Sequence, residues 1–451
     1  MVEQLLKRVH IGAKQLNRSI LSRSFVRNVG ILTIANGVGA VLSFVQGFLV
    51  ARWLGPELYG VAALVMSVPS LVYTFFDARS VEASVKFLSE FDTRGEQERA
   101  LAMCKAGYAV DFAVAGLALL VVLLLAPWAA KSVVHHPDMA WLIILYGSAF
   151  FPRALVGTSY AVLATLERFP TIAFINTLTN VVRVGVVLGL VGLGWRVVGV
   201  VLGNAIAMVA TGLLYGALAY GLAKNRWGRS WLFADWRHLK GRRKEILAFL
   251  AFNDLNALLG MIPKQLDVVI LGYFRNPTDV GFYKLAKNLA ASMGYIVGPL
   301  QSVVYPNLSK LLAISNSTFF HNRIRQLAYR VGLPLGLSAL VGALFVPWFI
   351  PLLFGQEYRP AIFLTQMLLV GCGVWLAFFW LRPAYMAKGC IRQWTSGIAL
   401  YTVTFTVLSI ACVPAWGAKG ASLAQVLTTT FFHFYMGWHL YASSRNSRKS
   451  V

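Results

Sequence analysis

Twelve stretches of this chain run for about twenty residues with few charged side chains, the length at which a helix crosses the hydrocarbon core of a bilayer. Their approximate limits are 30–51, 60–76, 106–126, 140–163, 172–193, 197–221, 247–273, 281–304, 327–349, 361–383, 394–413 and 419–440. Backbone groups in such surroundings have no water to bond, so only helices or closed barrels are admissible. Continuous apolarity rules out the barrel, whose strands alternate in character. Composition agrees: 58% of the 451 residues are hydrophobic and 13% charged, against roughly a quarter charged in a soluble domain. The expected fold is all-α and polytopic.

The twelve stretches divide into two sets of six. Asn36 to Gly60 reads NGVGAVLSFVQGFLVARWLGPELYG, and Asn256 to Gly281 repeats its landmarks. Asn36 returns 220 positions later as Asn256, while Pro56 and Gly60 return 221 later as Pro277 and Gly281. Pro127-Trp128 recurs as Pro347-Trp348, and Trp195 with Gly199 as Trp416 with Gly420. Landmarks kept in order at one spacing indicate duplicated architecture. Because each set holds an even number of spans, both halves enter the membrane the same way up, related by an axis along its normal. The expected organisation is a 26–221 six-helix bundle, a 222–246 basic, Trp-bearing linker and a 247–440 six-helix bundle, with an amphipathic segment at 1–25 and a basic tail at 441–451.

Placing both termini in the cytoplasm puts most of the 41 Lys and Arg residues on the inner side, as the positive-inside rule asks. Part of the net charge of +24 is expected to attract the anionic inner leaflet. The 1–25 segment interleaves Leu5, Leu6, Val9, Leu16, Ile20 and Leu21 with Lys7, Arg8, Lys14, Arg18 and Arg23, suiting a helix on the membrane surface. A cleaved signal peptide is not expected, since the first apolar run is of full span length and belongs to the repeat. Acids and bases alternate between 77 and 105, as on a solvated helix. Trp227, Trp231 and Trp236 among the linker's bases fit the headgroup layer rather than nucleic acid. Neither the four cysteines nor His135, His136 and Asp138 have the spacing of a metal site; no metal or cofactor is expected. No phosphate-cradling Gly-Lys-Ser/Thr loop is present, so ATP hydrolysis is not indicated.

Ionisable residues inside a span are costly and tend to face a cavity or a partner. Asn253, Asn256, Gly260, Lys264 and Asp267 follow steps of three and four along one face of the seventh span, with Asn36 at the repeat-equivalent of Asn256. This stripe reads as cavity lining, or as a Lys264–Asp267 pair satisfying itself at i, i+3. Counting back by 220 places Phe44 opposite Lys264 and Gly47 opposite Asp267. Lys284, Lys287 and Asn288 share a face of the eighth span, where snorkelling to the interface is the competing explanation. Arg153, Arg183 and Arg382 lie in the fourth, fifth and tenth spans; Asp111 and Asp254 are further carboxylates. Bases thus outnumber acids inside the membrane, a balance suited to an anion, and Arg holds phosphate through paired hydrogen bonds.

Leu54-Gly55-Pro56-Glu57-Leu58-Tyr59-Gly60 resembles the first-half signature of the polysaccharide transporter family, the Wzx-type flippases of lipid-linked oligosaccharides. That family shares a superfamily with multidrug-and-toxin extruders and lipid II flippases. Gln265-Leu266-Asp267, Gly272, Val280-Gly281-Phe282-Tyr283 and Pro306 resemble its second-half pattern, and Phe354-Gly355 with Tyr358 its loop after the ninth span. Asp77-Ala78-Arg79 departs from the usual aspartate-glycine and is assigned no role. Arg27 is followed by Asn28 rather than Asp, unlike a lipid II flippase, and the first span has no carboxylate, unlike a drug extruder. The resemblance implies twelve helices in two bundles about a central cationic cavity in a bacterial inner membrane. It further implies alternating access and an undecaprenyl-pyrophosphate-linked repeat unit as substrate, serving cell-surface polysaccharide synthesis, with a polymerase and glycosyltransferases as expected partners. Arg153, Arg183, Lys264, Lys284, Lys287 and Arg382 are the candidate anion-binding residues; Asn36, Asn253 and Asn256 would line the cavity. Asp267, Asp254 or Asp111 would take a coupling proton or ion. Alternatives are a cation-coupled exporter, which calls for a net acidic cavity, and a structural scaffold. An enzyme is not expected, since the longest external loop, roughly 127–139, is too short for a catalytic domain.

Overall fold

The computed structural model describes residues 23–76, 80–228, 231–314 and 317–447. Most of the 1–25 segment, Asp77-Ala78-Arg79 and the last four residues lie outside them. No strand occurs among the described residues. The helices of the first half are α1 (Arg23–Phe76), α2 (Ser80–Thr93), α3 (Gln97–Ser132), α4 (Ala140–Ser148), α5 (Phe150–Arg153), α6 (Leu155–Thr165), α7 (Phe169–Leu190) and α8 (Arg196–Trp227). Those of the second are α9 (Arg243–Phe274), α10 (Pro277–Ser292), α11 (Val297–Ile314), α12 (Ser317–Leu327), α13 (Leu333–Phe354), α14 (Ala361–Ala377), α15 (Leu381–Ala387) and α16 (Ile391–Ser447).

Seven helical runs among the described residues are long and apolar enough to cross a membrane. Three of them, Gly30–Phe76, Phe169–Trp227 and Ile391–Ala442, measure 47, 59 and 52 residues, between two and three times the roughly 20 that one crossing needs. Each reverses at a glycine with positive φ: Gly55 at 73°, Gly194 at 89° and Gly417 at 57°, a conformation that costs glycine nothing. The seventh and eighth expected spans, richest in charge, fall on α9 and on α10 with α11.

The repeat makes its first turn in two ways. In the first half Gly55 supplies the left-handed residue before Pro56; at the matching position before Pro277 stands Asn276, whose side chain accepts from the Asp279 N–H at 2.9 Å and caps α10. Asn is among the best N-caps and Pro among the best first residues of a helix. The backbone differs with the chemistry, φ being 73° at Gly55 and −73° at Asn276, yet both turns lead into a helix begun by proline.

These two turns meet each other. A Cβ on Gly60 would lie 1.8 Å from the Pro277 carbonyl oxygen, and one on Gly281 would lie 1.9 Å from that of Pro56. Reciprocal contact between equivalent residues is what a twofold between the halves produces. Around it the halves exchange further bonds. His135 Nε2 donates to the Gly272 and Arg275 carbonyls at 2.8 and 3.1 Å, Tyr358 donates to the Ala51 carbonyl at 2.9 Å, and Arg52 to that of Leu353 at 2.9 Å. On this side a single buried core runs through both halves, from Val50 and Val61 to Val268, Val280 and Val413. Toward the termini the core separates. One cluster is built around Phe87, Phe91 and Trp227 of the first half and the linker, another around Phe320, Phe379 and Tyr385 of the second. The halves are sealed at their turns and packed independently at the end that bears the termini.

The linker is bound to the first half. Lys105 donates to the Ala234 carbonyl at 3.0 Å and lies over the Trp236 ring. Arg242 joins Glu90 of α2 to Glu245 of α9, and Phe249 packs edge-on against Phe87. In this exposed network, hydrogen bonding to Arg242 holds the Glu90 and Glu245 carboxyls below their ordinary range, and Arg226 does the same for Asp92.

Candidate functional site

Arg153 and Arg183, thirty residues apart in sequence, both lie within electrostatic reach of Tyr146. The fourth span is not one helix but α4, α5 and α6, interrupted at Ala149 and Ala154, and Pro152 denies it one backbone donor. Gly212 of α8 fills the interruption so closely that a Cβ there would stand 2.1 Å from the Pro152 carbonyl oxygen. This local geometry carries Arg153, whose guanidinium is exposed and sits 5.9 Å from the Phe150 ring centroid. Phe150 in turn stacks on Tyr73 at 4.0 Å and meets Tyr146 edge-on at 5.6 Å.

Arg183 reaches the same place from α7. Its Nη2 donates to Ser43 Oγ of α1 at 2.6 Å, while its Nε is buried without a hydrogen-bond partner. Tyr146 of its own half and Tyr295 of the other both lie within electrostatic reach of it. Among the described residues neither arginine has a carboxylate within ion-pair distance. A guanidinium without a carboxylate partner keeps its capacity to fork onto an anion.

The second half spends its charges on itself. Asp267 of α9 is 1% exposed and accepts from Tyr283 Oη at 2.7 Å and from Lys287 Nζ at 2.5 Å, one turn apart on α10. Lys284 lies near enough to feel both Lys287 and Asp267. The next residue, Asn288, donates to Tyr59 Oη at 3.0 Å and so links α10 to the first half. Lys287 therefore turns inward to a carboxylate instead of snorkelling. Asp267 takes its partners from the neighbouring helix, twenty residues on, rather than only from its own.

The other sequence candidates scatter. Asp111 accepts from the backbone N and Oγ1 of Thr158 at 3.2 and 2.8 Å, tying α3 to α6. Arg382 is exposed on α15 and Asn36 exposed on α1. The side chains of Asn253, Asp254, Asn256 and Lys264 lie outside the described residues.

Ala51 and Gly272 each offer a carbonyl to the other half, to Tyr358 and His135, and they stand 221 apart, as Pro56 and Pro277 do. The extra residue therefore falls between Asn256 and Gly272; on a 221 step the counterparts of Lys264 and Asp267 are Ser43 and Gln46, on a 220 step Phe44 and Gly47. Gln46 Oε1 is buried with no hydrogen-bond partner. Sequence reading missed Tyr146 and Tyr295, which carry no signal among 17 tyrosines; Tyr59 and Tyr283 stood in the resembling motifs without a role of their own, and neither Ser43 nor Gln46 was singled out.

Among the described residues the fold is all-helical and multi-pass, with two halves in contact at one end. It superposes on a MATE-family multidrug-resistance transporter of the MOP superfamily in its inward-facing conformation with a TM-score of 0.72, at 14% identity, over 91% of this chain and 96% of that one. The lipid II flippase MurJ in an inward closed conformation gives 0.71, at 14% identity over 91% and 87%. A MATE-family transporter in an outward-facing conformation gives a lower 0.60, at 14% identity over 92% and 96%. Among sequences, the probable flippase AglR of Haloferax volcanii is 25% identical over 195 residues, 41% of this chain and 39% of that protein. The match thus spans well under half of the curated relative's length. The family model described as polysaccharide biosynthesis protein matches residues 25–312, and the chain belongs to that family.

Proposed function

We propose that this protein is a flippase: it carries a lipid-linked oligosaccharide across the membrane, with Arg153 and Arg183 holding the phosphate-bearing head between the halves. The observation that carries this reading is that two arginines, with no carboxylate in ion-pair distance among the described residues, lie within electrostatic reach of Tyr146. Pyrophosphate supplies the charge that the site lacks, and bidentate guanidinium contacts suit its oxygens. The lipid tail needs no pocket, since it can stay in the bilayer during transfer. An undecaprenyl-pyrophosphate-linked repeat unit of a bacterial cell-surface polysaccharide fits these demands.

Translocation follows as alternating access, with the 26–221 and 247–440 bundles rocking about the sealed turns. The described state is closed around Gly60 and Gly281 and has separate cores toward the termini, which supports loading from the terminal side. With most basic loops on that side, it is the cytoplasmic face of the inner membrane. No covalent step is required, so the protein is not an enzyme on this reading. The buried Asp267 with Lys287 is a pair able to exchange a proton as the halves separate, the place where coupling would act. A polymerase and glycosyltransferases would act on either side of this step.

The test is translocation of a fluorescent lipid-pyrophosphate oligosaccharide in proteoliposomes. Wild type is expected to move it, and Arg153→Ala and Arg183→Ala, reconstituted at equal folded yield, are expected to lose that transport. Failure of the wild type under an imposed proton or sodium gradient would overturn the reading.

A further inference from the structure

A second site lies outside the cleft, where the linker crosses the first half. A cavity of about 260 Å³ opens between α2, α3, the linker and the first turns of α9. Its floor is one face of α3, Met103, Ala106 and Val110 at helical spacing; Trp236 and Leu239 form its roof. The wall is almost wholly apolar; besides Arg243 at its opening, the polar side chain that lines it is Ser84, whose hydroxyl is buried without a hydrogen-bond partner.

The rim has the opposite character. Arg243 stands exposed at the opening with only a long 3.5 Å contact to the Trp236 carbonyl. Arg237, Lys240 and Lys244, its neighbours in the chain, are exposed and have no carboxylate partner among the described residues. The nearby acids are already engaged. Glu90 and Glu245 are held by Arg242, Arg94 and Lys86, and Asp92 by Arg226; Asp235 accepts from the Arg237 backbone N–H. An apolar slot under a rim of unspent positive charge, beside Trp side chains, has the profile of a chain-and-headgroup site at a membrane interface.

We infer that this cavity binds one anionic glycerophospholipid, an acyl chain lying along α3 and its phosphate against Arg243. The chain length that fits is a segment, not a whole lipid, so the remainder extends into the bilayer. Because the slot is walled by α2 and α3 on one side and the start of α9 on the other, the lipid joins the first half to the entrance of the second. This differs from diffuse attraction to the leaflet, which would need no cavity and no particular base.

The test is native mass spectrometry of the full chain in neutral detergent, titrated with phosphatidylglycerol or phosphatidylcholine. One phosphatidylglycerol is expected to be retained in preference to phosphatidylcholine. Retention should fall about fivefold in Arg243→Glu, the worth of a base near an anionic surface, and by a similar factor in Ala106→Phe, which fills the slot. Val110→Phe repeats the filling one turn along, should Ala106→Phe fail to fold. Arg392→Glu, an exposed base of the second half, should leave retention unchanged. Equal losses in Arg392→Glu, undiminished retention in a folded slot-filling variant, or equal retention of the two lipids would overturn the inference.

Discussion

The two halves descend from one pattern and treat charge in opposite ways. In the first, Arg153 and Arg183 lie within electrostatic reach of Tyr146, beside the Phe150 ring and Ser43, with no carboxylate in ion-pair distance among the described residues. In the second, Asp267 is buried against Lys287 and Tyr283. A bare charge at a cleft keeps its attraction for a ligand; a paired one spends it on holding helices together. The comparison teaches that counting intramembrane bases overstates the size of an anion site. Lys287 belongs to the tie between α9 and α10, so the proposed site is smaller and more one-sided than the sequence suggests.

The largest effect should come from breaking the pair on one side only. Asp267→Asn removes the buried carboxylate that Lys287 bonds and is expected to cost about 3–5 kcal/mol, whereas Asp267→Asn with Lys287→Met should recover most of it. Thermal melting in detergent reads both, and a double variant no better than the single would dissolve the contrast between the halves.

Next comes the first half's site. Arg183→Ala removes a charged hydrogen-bonding group worth about 1.5–3 kcal/mol, so binding of a pyrophosphate-bearing lipid should weaken roughly 10- to 100-fold with little change in melting. Arg183→Lys, a point charge without the fork, should recover only part. A large fall in melting with unchanged affinity would make Arg183 a structural residue.

The seal between the halves can be opened without touching either site. Gly60→Ala forces a methyl into the Pro277 carbonyl, and overpacking of this kind costs about 1–3 kcal/mol. The closed state should lose population by about 5- to 100-fold. A cysteine near the turns should then react faster with an impermeant thiol reagent added from the turn side.

Smallest is the exposed network of the linker. The Glu90 and Glu245 carboxyls titrate below the ordinary value of 4.5, because of Arg242. A depressed carboxylate contributes above its unfolded value and loses that contribution as pH falls through the folded one. Melting should be level above about pH 5 and decline below it, less steeply in Glu90→Gln and at high salt. A decline centred near neutrality would point elsewhere.

Most of the fold was legible because apolar length is so direct a signal in a membrane. Repeat symmetry was legible too, through Pro56, Gly60, Pro277 and Gly281, which the structure brings into mutual contact. What sequence could not supply was helix rotation across a turn. Lys287 and Asp267 lie on different helices, and no periodicity within one helix reports that they face each other. The Pro152 break was likewise hidden, since a proline in an apolar span does not announce which side chain it redirects.

The most direct measurement is oligosaccharide-lipid translocation in one set of proteoliposomes holding wild type, Arg153→Ala with Arg183→Ala, and Asp267→Asn with Lys287→Met. The account expects transport to vanish in the arginine pair, although it folds, and to persist in the neutralised second-half pair, with any slowing confined to coupling to an imposed gradient. Transport that survives loss of both arginines, and fails when the buried pair is neutralised in a protein of normal stability, would contradict it and move the site to the second half.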